Sequence, residues 1–255
     1  MAATTHRSPR LYVELELDGT SLALDESGAH YLGHVLRLKS GDRLVVFNGR
    51  GTERDATVDS LQRRGATLAL AADRAPLPES PLDLILVQAL PKSDAMDLIV
   101  QKATELGVRT LVPVYTEFSV VRLDAERSER RVDHWRKIAR SACEQCGRHT
   151  PPRIEPALDL AAAIEALPAA ARMALDPSAE IALAEQAPPT SGLVVAIGPE
   201  GGFAAADWRR LDAARFARVA LGRRVLRAET AAIAACAIAQ SHWGDLRGER
   251  GSLSA

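Results

Sequence analysis

Apolar and polar positions change rhythm once along this chain, and the change divides it. From Arg10 to Ala71 apolar residues come in short runs or alternate with polar ones, over Leu11–Leu17, Arg43–Asn48, Ala56–Leu61 and Ala66–Leu70. Such runs predict short, half-buried strands, with turns at Asn48-Gly49 and Arg64-Gly65. Between the first two strand candidates, Gly28–Val35 predicts a helix. The segment 73–81, with Pro76, Pro78 and Pro81, reads as a stiff linker.

Beyond the linker the periods lengthen. Leu82–Leu90 is continuously apolar, which predicts a strand buried on both faces. Asp94–Leu106 places Ala95, Ile99, Ala103 and Leu106 at helical spacing and is closed by Gly107. Leu111–Tyr115 predicts a strand, and Ser128–Cys146 a helix with Val132, Trp135, Ala139, Ala142 and Cys146 on one face. Helix Leu158–Leu167, strand Met173–Leu175, strand Leu193–Ile197, helix Ala205–Ala214, strand Val219–Leu221 and helix Ala228–Ser241 follow. Strands alternating with helices predict an α/β domain built on a mainly parallel sheet. The expected division is 1–72, a linker 73–81, and 82–255.

Two of the predicted strand-to-helix turns carry glycine: Ile197-Gly198-Pro199-Glu200-Gly201-Gly202 and Leu221-Gly222-Arg223-Arg224-Val225-Leu226-Arg227-Ala228-Glu229-Thr230. If they leave neighbouring strands, they form one pocket in which backbone N–H and C=O groups read a flat ligand. Neither G-x-G-x-x-G nor G-x-x-x-x-G-K-[ST] occurs, so the pocket is not one of the common phosphate cradles.

The 255 residues carry a net charge of −1, which excludes a globally basic nucleic-acid binder but not a local basic face. Residues 207–227 hold seven arginines against two aspartates, and 122–148 hold eight basic and five acidic residues. Only four of the 32 basic residues are lysines, and arginine suits bidentate phosphate contacts and stacking on bases. Compositional bias toward Arg and Ala accounts for the same numbers, and 122–140 reads equally as a solvated helix face or an RNA-contact face. No secretory signal or membrane span is expected, and three cysteines make no disulfide framework, so a reducing cytoplasm is the expected setting. Cys143-x-x-Cys146 with His149 lacks a second ligand pair, so no metal is expected; His30 and His34 share a helical face without a Glu or Cys partner beside them. No Ser-His-Asp or Cys-His nucleophile is recognisable.

Taken with Gln101–Val108, Cys143–Arg148 and His30–Arg37, the two glycine loops resemble the RsmE family of bacterial 16S ribosomal RNA (uracil-N3)-methyltransferases, of the SPOUT superfamily. The resemblance covers nearly the whole chain. It implies an N-terminal PUA-like β-barrel that binds RNA and a C-terminal trefoil-knotted α/β domain. It also implies S-adenosylmethionine as methyl donor, a homodimer, and 16S ribosomal RNA as substrate, in the assembled small subunit. Ala204 stands where family members often carry a helix-capping Ser, and Ala228 where many carry Thr.

On that resemblance the cofactor lies against Leu175, Ile197, Gly198, Pro199, Glu200, Gly201, Leu221, Gly222, Val225 and Leu226. Arg227 or Arg223 stabilises charge on the uracil oxygens, and Glu200 or Glu229 accepts the N3 proton; Glu229 serves equally well as a helix-terminal carboxylate. RNA crosses Arg37, Lys92, Arg140 and Arg148, whose phosphate contacts position rather than specify. Two other readings stand beside this one: an RNA-binding protein without catalysis, and a methyltransferase acting on another RNA such as tRNA.

Overall fold

The computed structural model describes residues 8–91, 95–119 and 125–246. Two compact units emerge. The first draws on the chain up to Pro78 and on Cys143–Thr150; the second draws on Glu79–Ala142 and on the chain from Pro151 onward.

In the first unit, strands β1 (Arg10–Tyr12), β2 (Ser21–Leu24), β3 (Arg43–Phe47), β4 (Glu53–Gln62) and β5 (Gly65–Asp73) form one sheet in the order β1-β3-β4-β5-β2. All pairs are antiparallel except β1 with β3. Helix α1 (Glu26–His30) runs on into a wider π turn at Tyr31–Val35. Asp25 caps α1: its Oδ1 accepts the Gly28 N–H at 2.8 Å. Leu11, Leu22, Leu32, Leu44, Val46, Val58 and Leu68 close the core. The expected strand over Leu11–Leu17 is only three residues long, and the expectation passed over β2 altogether. Each is a short edge strand with one neighbour, so few apolar positions mark it.

The Cys143–Thr150 segment belongs with this unit, not with the domain its sequence position suggests. Glu144 accepts the Tyr12 N–H at 2.9 Å and the Tyr31 hydroxyl at 2.6 Å, and Arg10 Nη2 donates to the Arg148 carbonyl at 3.1 Å. Burial pushes the Glu144 carboxyl above the usual range, against the opposing pull of those donors. Arg10 is itself buried, paired with Glu53 at 2.8 Å and lying over the Phe47 ring.

The second unit is a three-layer α/β structure. Strands β6 (Leu84–Ala89), β7 (Thr110–Tyr115), β8 (Arg153–Ile154), β9 (Leu158–Asp159), β10 (Ala171–Leu175), β11 (Leu193–Ile197) and β12 (Ala217–Val219) form one sheet in the order β12-β10-β11-β6-β7-β8, with β9 also on β7. Every pair is parallel. Helices α2 (Ala95–Glu105), α3 (Ala125–Cys146) and α6 (Ala228–Trp243) supply one apolar layer with Met96, Ile99, Val132, Trp135, Ala232 and Ala235. Helices α4 (Leu160–Ala166) and α5 (Ala205–Ala213) supply the other with Leu160, Ala163 and Leu211. Strand β6 shows why Leu82–Leu90 carries no alternation: Leu84 and Leu86 face the first layer, Ile85 and Val87 the second.

Near the end of α6, the buried Gln240 joins distant segments. Its Oε1 accepts the Ser80 hydroxyl at 2.6 Å, and its Nε2 donates to the Leu106 carbonyl at 2.9 Å. Gly107 and Gly244 make room for it: a Cβ at Gly107 would come within 2.6 Å of Gln240 Nε2, and one at Gly244 within 1.7 Å of Oε1.

Candidate functional site

In a sheet whose strands all run the same way, every strand-to-helix loop opens at the carboxyl edge. Ligands of open α/β sheets bind there. Strand order corrects one expectation. β11 and β12, which feed the glycine loops, are not neighbours, because β10 runs between them. Three loops rather than two therefore converge, and the third begins at Leu175. β12 also ends at Val219, two residues before its expected end, so Leu221 lies in the loop. The cause is a short parallel bridge between Ala220 and Ala182, which turns the chain toward the β10 loop.

The β11 loop folds back on itself. The Gly202 N–H donates to the Pro199 carbonyl at 2.8 Å, and a Cβ on Gly198 would come within 3.0–3.1 Å of Gly202 and Phe203 backbone atoms. No side chain fits there without moving the main chain. Pro199 is buried, whereas Glu200 and Gly201 are exposed. Ala204 has no side chain to cap α5, and Asp207 does the work from the other direction. Its carboxylate, 1% exposed, accepts the Ala204 N–H at 3.2 Å and the Glu117 N–H at 3.3 Å. One buried side chain thus ties the start of α5 to the turn after β7.

The β12 loop is open. Gly222 has φ +101°, and nothing lies within 4 Å of where its Cβ would be. Leu221 packs on the core, Leu226 is half-buried, and Val225 is 81% exposed. Arg223 and Arg227 are exposed, and Glu229 sits in the first turn of α6. Arg227 occupies the cap position of α6, and its side chain makes no capping hydrogen bond to the first turn.

The β10 loop contributes Leu175, half-buried, and Asp176, which sequence reasoning missed. The Asp176 N–H donates to the Val219 carbonyl at 2.9 Å, and its carboxylate takes the Ser178 hydroxyl at 2.6 Å and N–H at 2.9 Å, with Arg218 at 3.5 Å. Burial alone would push this carboxyl up; the Ser178 donors and Arg218 outweigh it and hold the carboxyl below the usual range.

Leu175, Ile197, Gly198, Pro199, Glu200, Gly201, Leu221, Gly222, Val225 and Leu226 thus share one sheet edge with Arg223, Arg227 and Glu229. Arg37 is exposed in the first unit, in the left-handed region at φ 57°. Half-buried Arg148 belongs to the first unit and half-buried Arg140 to the second, and Lys92 lies outside the described residues. Depressions of about 630 and 370 Å³ lie at the opposite edge, against Ala171, Pro188, Pro189 and Gly192. Size alone does not mark the chemistry: these depressions lie at the amino ends of the strands, away from the strand-to-helix loops. Among the described residues, no cluster of three or more His, Cys, Asp and Glu could hold a metal, and no helix is long and apolar enough to cross a membrane.

Known proteins place this arrangement. Residues 78–240 match the model of an RNA methyltransferase domain, and residues 24–70 that of an RNA methyltransferase PUA domain. Ribosomal RNA small subunit methyltransferase E of Buchnera aphidicola from Schizaphis graminum is 30% identical, over 94% of this chain and 98% of its own. This chain belongs to that family. Its Bacillus subtilis member is 27% identical over 94% of this chain and 99% of its own. Among solved structures, the Neisseria gonorrhoeae member bound to S-adenosylmethionine superposes with a TM-score of 0.88 at 34% identity, covering 94% of this chain and 99% of that one. A Legionella pneumophila protein in complex with the same cofactor gives 0.89 at 32%, covering 94% and 100%.

The carboxyl edge fits such a ligand on its own terms. Leu175, Leu221 and Leu226 offer apolar walls, two glycine turns bring the main chain to the surface, and the α6 start is not capped by the Arg227 side chain. A flat heteroaromatic base with polar edges and an attached carboxylate suits that set.

Proposed function

We propose that this protein methylates N3 of a specific uridine in 16S ribosomal RNA, with S-adenosylmethionine as donor. The observation that carries the reading is the convergence of three loops at one edge, with both glycine turns intact and arginines on only one of them. When bound, the cofactor supplies an electrophilic methyl group on a sulfonium. The chain's own work is then to bind, to orient and to manage charge.

Backbone groups of Ile197–Gly201 and Leu221–Leu226, with the Leu175 side chain, would hold the cofactor. Neutral uridine is protonated at N3 and is a poor nucleophile. Arg227 or Arg223 would meet the negative charge that spreads to O2 and O4 as that proton leaves. Glu200 or Glu229, both at the same edge, would accept the proton. RNA would reach this edge over Arg37, Lys92, Arg140 and Arg148, in the assembled small subunit and hence in the cytoplasm. The same reading makes the C-terminal segment a trefoil knot and the protein a homodimer. In support of the dimer, α6 buries Ala228, Ala232, Ala235, Cys236, Ala239 and Gln240, while apolar Ile233 and the small Ala234 and Ala237 on its other side remain half-exposed.

Calorimetric titration with S-adenosylmethionine tests the site, and sedimentation at micromolar concentration tests the dimer. A protein that binds ribosomal RNA but not the cofactor would support the non-catalytic alternative.

A further inference from the structure

The turn after β7 carries Phe118, an aromatic ring that is 47% exposed in a chain with four phenylalanines. Its exposure does not come from a loose loop. Thr116 N–H donates to the Ser119 hydroxyl oxygen at 2.9 Å, Ser119 N–H donates to the Thr116 carbonyl at 3.1 Å, and the two hydroxyls meet at 3.0 Å. Buried Asp207 holds the Glu117 N–H from outside the turn. The ring is backed by Gly201, where an added Cβ would touch Phe118 at 3.5 Å. A half-exposed ring on a hydrogen-bonded turn, packed beside Gly201, is a stacking platform.

Strand order says which ring it would receive. The Leu175, Leu221 and Leu226 walls come from the β10 and β12 loops, on one side of the β11 loop. Phe118 comes from β7, on the other side, past the end of β6. Methyl transfer needs donor and acceptor on either side of a shared point, so the ring opposite the cofactor walls faces the acceptor. We propose that Phe118 stacks on the target uracil after that base leaves the RNA stack. An enzyme acting on a base edge must hold the base out of its stack, and an aromatic face offsets the lost stacking without hydrogen bonds. The inference rests on the proposed reaction.

The test uses small ribosomal subunits from cells lacking this protein. Methyl transfer by the wild type, Phe118→Ala and Phe118→Tyr is followed alongside cofactor calorimetry and sedimentation. Phe118→Ala should raise KM for the subunit roughly 5- to 100-fold, the size of one base–aromatic stack, with cofactor affinity and mass unchanged. Phe118→Tyr should restore it. An active wild type matched by Phe118→Ala overturns the inference alone. Loss of cofactor affinity, or of dimer mass, in Phe118→Ala assigns the ring to the adenine or to a subunit contact and also overturns it. A wild type that transfers no methyl group overturns the proposed reaction and the inference with it.

Discussion

The loops leaving β11 and β12 both begin with a glycine one to three residues past the strand, and they use it in opposite ways. At Gly198 the glycine is required by contact: the loop closes on itself so tightly that a Cβ would press into Gly202 and Phe203. At Gly222 it is required by conformation: φ is +101° and the space around it is empty. Buried Asp207 braces the first loop, whereas the second carries three arginines and the largely exposed Val225. A self-packed loop can present its main chain to a ligand in one fixed shape. An open loop rich in guanidinium groups can close over a substrate and supply charge. On the proposed reaction both turns offer main chain to the cofactor, and only the second adds guanidinium groups for charge at the transition state.

The strongest way to break the comparison is Gly198→Val. Main-chain atoms, not flexible side-chain ends, stand in the way, so the β11 loop must rearrange. Calorimetry should find no binding of S-adenosylmethionine while circular dichroism stays native. Retained affinity would show that this loop does not shape the site.

Arg227→Ala tests the other half. Its loss should lower methyl transfer by about 10²–10³, the usual effect of removing one positioned donor to developing charge, and leave cofactor affinity nearly unchanged. A variant with wild-type turnover removes Arg227 from the chemistry and leaves Arg223 as the candidate.

How much of this contrast was legible beforehand depends on the kind of signal. Both loops and their helices could be read from glycines set between an apolar run and a helical period. β11 falls on Leu193–Ile197 as expected, because a strand buried on both faces has no polar residue to blur its ends. The order of strands could not be read, since an apolar run such as Leu193–Ile197 says nothing about which neighbour it pairs with; hence the insertion of β10 between β11 and β12 went unforeseen. Asp207 was open to inference, as an acid three residues after a cap position is half of a capping box. Phe118 left no local signal, because its role depends on a contact 83 positions away in sequence, at Gly201. The attachment of Cys143–Thr150 to the first unit was hidden for the same reason: Glu144 looks like any helix-surface acid until Tyr12 and Tyr31 are brought to it.

Gly222→Ala sharpens the comparison with a smaller effect. Nothing clashes, so the cost is that of a left-handed backbone for an L-residue, about 1–2 kcal/mol of stability, and cofactor affinity should fall far less than in Gly198→Val. A loss as complete as that of Gly198→Val would mean that the open loop is as tightly packed in the bound state as its partner.

Smallest is the acid response of Asp176, which anchors the β12 loop through Val219 and Arg218. Its folded carboxyl lies below the usual range, so it contributes stability above the unfolded value of about 3.9 and loses it as pH falls further. Urea unfolding of Asp176→Asn should therefore show a gap from the wild type at neutral pH that narrows below about pH 4. A gap independent of pH would assign the residue's role to shape rather than charge.

The central claim is most directly tested by mass mapping of methylated nucleosides in 16S ribosomal RNA from cells that lack this protein, with and without its gene restored. The account predicts that one N3-methyluridine disappears with the protein, returns with the wild-type chain, and fails to return with Arg227→Ala. An unchanged set of methylated nucleosides in 16S ribosomal RNA, or a mark lost from tRNA instead, would contradict it.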